Sequence, residues 1–205
     1  MRMSLGENVI VTLFGESHGP AVGALIEGMP PNMEFDLEQL MADMISRRPG
    51  SGLASKRKET DEVDIMSGVH NGKTTGMPIL LIIKNRDVRS KDYSFLPYQP
   101  RPGHVDHPIN IKTEGAADLR GGGSFSARLT AGLVAAGSLS RTIIPNEWKV
   151  EATVGALGGL EGEEGIALAE KARKEGDSLG SRVDLVISGL PVGLGEPWFD
   201  GIEPA

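Results

Sequence analysis

The sequence predicts a mixed α+β fold that buries a sizeable hydrophobic core. Its 205 residues suit one large domain or two small ones. Stretches with strand patterning occur beside stretches with helical periodicity. The two kinds do not alternate regularly, as they would in a doubly wound parallel sheet, so the α+β class is favoured over α/β.

The first third of the chain predicts two strands and a helix. Strands are expected at Asn8–Phe14 and Ala21–Gly28, on either side of a turn that contains His18. The segment Asp36–Arg48 predicts an amphipathic helix, capped by its first residue, with Gln39 completing a capping pair. The face expected to be buried consists of Leu37, Leu40, Met41, Met44 and Ile45.

The elements predicted further along are strands and two helices. Glu62–Val69 alternates like a half-buried strand, and an Asn-Gly hairpin signal then leads to a buried return strand at Met77–Lys84. The small residues of Ser126–Ile144 predict a closely packed helix. An exposed helix is expected at Glu163–Gly176 and a strand at Arg182–Pro191.

Composition excludes several classes of function. The chain has no cysteine, which rules out disulfides, thiol catalysis and cysteine-rich zinc sites. A net charge of −7 and nine aromatic residues oppose nucleic-acid binding, which needs basic surfaces and stacking platforms. No apolar run is long enough to span a membrane, and the N-terminus lacks signal-peptide features. We therefore expect a cytoplasmic protein.

The stretch FGESHG places His18 between two glycines. Glycine lets the backbone turn sharply and lets a ligand approach closely. His18 is therefore either a proton donor in a cleft or only a turn residue.

The stretch RGGGSFSAR, Arg120–Arg128, is the strongest physical signal. Three glycines lead into a predicted helix start, where free N–H groups and the positive helix end favour a phosphate. The Gly-Lys-Ser/Thr ending of a Walker A loop is absent. The alternative is a glycine hinge that binds no ligand.

Two other stretches suggest sites. Arg47–Lys58 carries five basic residues and no acid within an acidic protein, and is either an anion site or a solvated loop. Asn85–Gly123 is a long, polar, turn-rich connection of the kind that usually serves a site. Within it, RPGHVDHP predicts a turn in which His104 moves protons beside Arg101. Without cysteine or an evident third ligand, no metal site is expected, and His70 on its hairpin is expected to be solvated.

Several stretches together resemble the chorismate synthases. FGESHG, RRPG, SGVHNGKTTGMPI, NRDVRSKDY, RPGHVD and RGGGSFSARLT follow one another in that family's order, and GDSLGSRVDLVISGLPVGLGEPWFD continues the match. The resemblance implies a 1–205 chorismate synthase domain with a β-α-β sandwich, helices lying between two antiparallel sheet layers. It also implies a homotetramer.

The resemblance further implies an activity. The family eliminates phosphate from 5-enolpyruvylshikimate 3-phosphate to form chorismate, with reduced FMN and no net redox change. By motif position, His18 resembles the acid that protonates the departing phosphate. His104 resembles the histidine that donates a proton towards the reduced flavin ring.

The same resemblance assigns binding roles. Arg48, Arg101 and Arg128 resemble substrate-binding arginines, whose guanidinium groups suit a substrate with two carboxylates and a phosphate. Arg47 resembles an arginine that contacts a nicotinamide nucleotide in some members, which makes NADPH a candidate flavin reductant. The residues that resemble an FMN-contacting triplet are Ser124, Phe125 and Ser126.

The chain also departs from the family pattern. Ser124 stands where many members have arginine, Leu53 replaces another arginine, and Leu129 replaces a common glutamate. Family chains continue well beyond a length of 205 residues. The resemblance thus implies that this chain corresponds to the N-terminal part and is inactive by itself.

Overall fold

The chain divides into two compact units, Met1–Ile143 and Ile144–Ala205. The structure, a computed structural model, describes residues 1–48, 59–86 and 90–194. Helices and antiparallel strands occur together, which confirms the α+β class. The basic segment singled out in the sequence lies outside the described residues except for its first two arginines.

The first unit contains strands and helices in the following order: β1 (Ser4–Leu5), β2 (Ile10–Gly15), β3 (Ala21–Glu27), α1 (Leu37–Arg47), β4 (Val63–Ile65), β5 (Val69–His70), β6 (Lys73–Thr74), β7 (Ile79–Lys84), α2 (Asp106–Lys112) and α3 (Thr130–Ser140). Five of the strands form an antiparallel sheet in the order β1-β2-β3-β7-β4. The core consists of alternate residues of β3 and β7 that face each other in register, such as Val22 with Ile83 and Ala24 with Leu81, all fully buried. Helices α1 and α3 contribute to the same core.

Helix α1 confirms the predicted cap but buries a narrower face. The Asp36 carboxylate accepts a hydrogen bond from the Gln39 backbone N–H at 2.8 Å. The Gln39 side chain does not complete a capping pair, because it donates to Asp43 instead. Only Leu40 and Met44 are buried, and the expectation for the rest of the face is wrong, since these residues are about half exposed: Leu37, Met41 and Ile45.

The region predicted as one strand followed by its return strand is divided between two sheets. Glu62–Val69 is wrong as a single element, because β4 joins the main sheet and β5 pairs with β6. The Asn71–Gly72 turn closes that small hairpin with both φ angles positive, as its sequence predicts. The buried strand β7 is confirmed, but its partners are β3 and β4.

The connection after β7 contains more regular structure than predicted. A 3₁₀ turn spans Ser90–Tyr93, and α2 begins at Asp106, directly after the turn that carries His104. Pro108 fits because a proline in the first helical turn costs no hydrogen bond. The packed helix is confirmed as α3, in which a methyl group on Gly132 would stand 2.5 Å from the Gly23 carbonyl oxygen.

Up to residue 194, where the described residues end, the second unit is a two-stranded sheet with one helix. Its elements are β8 (Lys149–Leu157), α4 (Gly162–Glu175) and β9 (Ser181–Ser188); α4 and β9 confirm the predictions, whereas β8 was not predicted. One face of this sheet is apolar and open, with side chains 44–65% exposed, namely Val150, Val154, Val183, Leu185 and Ile187. Among the described residues, no helix is both long and apolar enough to cross a membrane.

Candidate functional site

The turn between β2 and β3 carries His18 and is held against the glycine run 121–123. The Ser17 backbone N–H donates to the Gly123 carbonyl at 3.1 Å, and the Ser124 hydroxyl donates to the Gly15 carbonyl at 3.1 Å. Ser17 is buried and His18 is half-buried. Two hydrogen bonds to one glycine-rich segment thus hold the turn at Gly15 and at Ser17.

The same glycine run brings the two predicted catalytic histidines together. A methyl group on Gly121 would overlap the His18 ring, and one on Gly122 would lie 3.2 Å from His104 Cε1. Both glycines have positive φ, at 59° and 88°, a conformation that other residues rarely adopt. Gly121 and Gly122 therefore let one imidazole ring each lie close to the backbone, a role that the sequence alone did not indicate.

His104 belongs to a cluster with Arg101 and Asp106. Arg101 forms a bidentate ion pair with Asp106, whose two carboxylate oxygens each accept at 2.8 Å, and the Arg101 backbone N–H donates to it at 3.1 Å. Asp106 is fully buried, and the Arg101 hydrogen bonds lower the pKa of its carboxyl to about 2. Its negative charge is therefore present at neutral pH.

His104 contacts both members of this ion pair through one ring nitrogen. Its Nδ1 lies 2.8 Å from Asp106 Oδ1 and 3.1 Å from Arg101 Nη2. The ionised carboxylate only accepts hydrogen bonds and the guanidinium only donates them, so the two partners favour opposite tautomers of the ring. Both contacts are made at Nδ1, and Nε2 is the ring nitrogen that they do not engage.

Tyr93 connects the two halves of this site. Its ring contacts the His18 ring edge-on at a centroid distance of 4.9 Å, and the Arg101 guanidinium lies over it at 5.4 Å. Sequence reasoning missed both Tyr93 and Asp106. Tyr93 lies in the stretch NRDVRSKDY and Asp106 in RPGHVD. Their partners are distant in the chain or lie across a turn, so the sequence did not indicate these contacts.

The predicted arginines differ in what they contact. Arg128 is only 4% exposed and pairs with the buried Asp61, which also receives Arg47. Arg128 donates further to the Lys84 carbonyl at 3.2 Å. The guanidinium of Arg128 is thus engaged by protein groups, as expected of a residue that positions its neighbours.

Arg48 has the opposite character. Its Nε is buried and has no hydrogen-bond partner within residues 1–48, 59–86 and 90–194. Buried donors are nearly always paired, so such a group needs an explanation. An arginine with an unused buried donor fits an anion-binding role.

The serines that follow the glycines have local partners. Ser124 donates to Gly15, as described above, and Ser126 Oγ accepts the Arg128 backbone N–H at 3.3 Å. Phe125 between them is 42% exposed. In the part of the chain that the structure describes, no three histidine, aspartate or glutamate side chains are grouped so as to hold a metal ion.

Comparison with known proteins identifies one family. The family model described as "Chorismate synthase" matches residues 9–205. Curated proteins named chorismate synthase are 43% identical in Aeropyrum pernix and 43% in Thermococcus kodakarensis, over 98% and 97% of this chain. A third, from Burkholderia vietnamiensis, is 42% identical over 98% of the chain.

A solved structure agrees with these relatives. The crystal structure of a chorismate synthase superimposes with a TM-score of 0.72 at 25% identity, over 93% of this chain and 60% of that one. The chain spans 60–62% of the length of the three curated relatives.

Proposed function

Because this chain belongs to the chorismate synthase family, we propose that it provides part of the active site for the 1,4-elimination that converts 5-enolpyruvylshikimate 3-phosphate to chorismate. This is the last shared step towards the aromatic amino acids. The observation that carries the proposal is the approach of His18 and His104 to adjacent glycines. Two imidazoles at one turn suit a reaction in which a phosphate leaves and protons move.

The elimination breaks two bonds, and the ring gains one double bond. The ring carbon–oxygen bond to phosphate is cleaved and a ring hydrogen leaves as a proton to a base. Because the elimination is 1,4, the ring double bond already present moves as the new one forms. His18 donates a proton to the departing phosphate oxygen. The Tyr93 ring beside it shields one side of the imidazole from water and supports its orientation.

His104 is the second proton donor. Asp106 and Arg101 both contact its Nδ1, which leaves Nε2 as the ring nitrogen for the ligand. A histidine held at one nitrogen by a buried ion pair keeps a fixed ring orientation. Asp106 itself stays ionised and acts by positioning His104 and Arg101.

The substrate carries two carboxylates and a phosphate, and arginines provide the matching charge. Arg48, with its unused buried Nε, is the best-supported ligand among them. Arg101 is 30% exposed at its side chain and combines its pairing to Asp106 with access to a ligand. Arg128 contributes from a buried position, where Asp61 fixes it.

The residues from 124 to 126 fit a flavin in part. The exposed Phe125 ring offers an apolar surface for a flat ring system, and Ser124 and Ser126 offer hydroxyl groups for polar atoms. Bound reduced FMN would supply the reduced ring that the family's reaction requires without net redox change. Arg47 is the proposed contact for a nicotinamide nucleotide, with NADPH as flavin reductant, although Asp61 engages it.

Family membership also supports a homotetramer in the cytoplasm. The open apolar face of β8 and β9 is a further argument, because contiguous exposed apolar side chains are typical of interaction surfaces. Sedimentation of the complete gene product measures the oligomeric state. A stable monomer contradicts this part of the proposal.

The activity is tested with the complete gene product. Dithionite-reduced FMN and 5-enolpyruvylshikimate 3-phosphate are added, and inorganic phosphate is measured. Release of phosphate that depends on both additions supports the proposal, and its absence refutes it. A flavin fluorescence titration run in parallel identifies the alternative, a domain that binds FMN through RGGGSFS without turnover.

A further inference from the structure

Asn85 follows β7 directly, and its side-chain amide connects the turn that carries His18 with Arg128. Its Nδ2 donates to the Glu16 carbonyl at 3.0 Å and to the Gly19 carbonyl at 2.9 Å. Its Oδ1 accepts from Arg128 Nε at 2.8 Å. These distances are those of well-formed hydrogen bonds.

The two carbonyls that Asn85 binds lie on either side of His18. Glu16 precedes the histidine by two residues, and Gly19 follows it directly. The turn is also closed internally, because the Gly19 N–H donates to the Glu16 carbonyl at 3.0 Å. A single amide nitrogen therefore fixes both ends of the short segment that aims the imidazole.

The acceptor side of Asn85 is equally constrained. Arg128 is held by the fully buried Asp61, so the guanidinium that orients the Asn85 oxygen cannot rotate freely. The Asn85 backbone N–H adds a bond to the Pro20 carbonyl at 3.1 Å. Arg128, Asn85 and the His18 turn thus form one continuous chain of hydrogen bonds.

We propose that Asn85 is a positioning residue for His18, and that it acts through its two N–H donors. Asparagine suits the position because its amide offers two donors and one acceptor at once. An aspartate of the same shape keeps the acceptor for Arg128 but loses both donors. The positioning of His18 by Asn85 does not depend on the proposed function. Only the expected effect of a misplaced His18 on turnover rests on that function.

The test uses the four histidines of the chain as reporters in proton NMR. The ring proton on His18 Cε1 feels the ring current of Tyr93, whereas His104 is held independently by Asp106. His70 and His107 are exposed and serve as references. The variants are Asn85→Asp, which keeps the acceptor, and Asn85→Leu, which keeps only the approximate shape.

We expect the His18 resonance to shift in both variants while the other three histidine signals stay in place. A shift in Asn85→Leu alone would assign the effect to the Arg128 bond, and a shift in Asn85→Asp alone would assign it to the added charge. Either result overturns the proposal, as does an unmoved His18. Loss of all four native signals also overturns it, because Asn85 would then be needed for folding as a whole.

A measurement on the unsubstituted chain makes the test independent of how the variants fold. Both Nδ2 protons of Asn85 donate to protein carbonyls, so their exchange with solvent is expected to be slower than that of other side-chain amides. Exchange as fast as in an exposed amide refutes the proposal. In the complete gene product, Asn85→Asp is expected to lower kcat by about 10²-fold with little change in KM. Shifted NMR signals without any wild-type turnover would refute the proposed function and leave the positioning role intact.

Discussion

Replacing Asp106 with asparagine removes a buried charge and little else. The carboxylate is fully buried and accepts two side-chain bonds and one backbone bond from Arg101. Asparagine has nearly the same shape, but Arg101 donates to both carboxylate oxygens, so the amide N–H₂ must face an Arg101 donor in either orientation. The Asp106→Asn variant is therefore expected to be less stable at neutral pH.

The size of the effect follows from the pKa of Asp106. Pairing with Arg101 lowers that pKa from 3.8 to about 2. One pKa unit corresponds to about 1.4 kcal/mol, so the ionised carboxylate contributes about 2 kcal/mol to the free energy of unfolding at pH 7. Because the folded-state pKa is the lower one, this contribution is complete above pH 4 to 5 and is lost as the pH falls towards 2.

Urea unfolding, monitored by circular dichroism, measures this contribution to the free energy of unfolding. At pH 7 the variant is expected to unfold at about 1 M less urea than the wild type, and the difference is expected to shrink steadily between pH 4 and pH 2. A difference that stays constant over that range would refute the reasoning, since it would come from packing and not from charge. Asp118→Asn is the matched control: its pairing with the exposed Arg120 also lowers the pKa of Asp118, but solvent screens that pair and only a small effect is expected.

Four other substitutions test the site. Gly121→Ala adds a methyl group that overlaps the His18 ring at a positive φ, so we expect a loss of at least about 1 kcal/mol in the free energy of unfolding and a displaced His18 NMR signal; an unchanged signal contradicts the geometry. In the complete gene product, His18→Ala and His104→Ala are each expected to lower turnover about 10²–10⁴-fold with substrate affinity nearly unchanged; full turnover of either variant makes that histidine a turn residue only. Asp61→Asn removes the nearer counter-charge of the buried Arg128 and leaves Glu59, 3.8 Å away, as its other carboxylate, so urea unfolding is expected to show a loss of about 3 kcal/mol; a loss below about 1 kcal/mol would mean that Glu59 compensates the charge.

The sequence determined the elements whose patterns are local. Strand β3 forms within the predicted stretch Ala21–Gly28, α4 ends at a left-handed Gly176, and the Asn71–Gly72 turn has positive φ angles. Backbone conformation and side-chain period are set by neighbouring residues, so these features can be predicted without the fold. The ordered motifs around His18 and His104 likewise identified the family.

Where burial depends on distant partners, the sequence was insufficient. Leu37 and Ile45 have the period of a buried face, but only Leu40 and Met44 of this helix belong to the core that α1 shares with α3. Periodicity indicates which residues share a face and cannot indicate how much of that face a neighbour covers. The alternating stretch Glu62–Val69 contributes to two sheets for a similar reason. Strand pairing depends on which other segments are available as partners, and a local pattern does not show this.

Only the tertiary structure decided which charged residues are paired with each other. In the sequence, Arg48 and Arg128 are equivalent cations, but folding places Arg128 against the buried Asp61 and leaves the Nε of Arg48 without a partner among the described residues. Likewise, only the fold shows that the His18 and His104 rings lie beside adjacent glycines of one run. The physical reason is that hydrogen bonds and ion pairs act over a few ångströms, and it is the fold that brings residues distant in the chain to within that range.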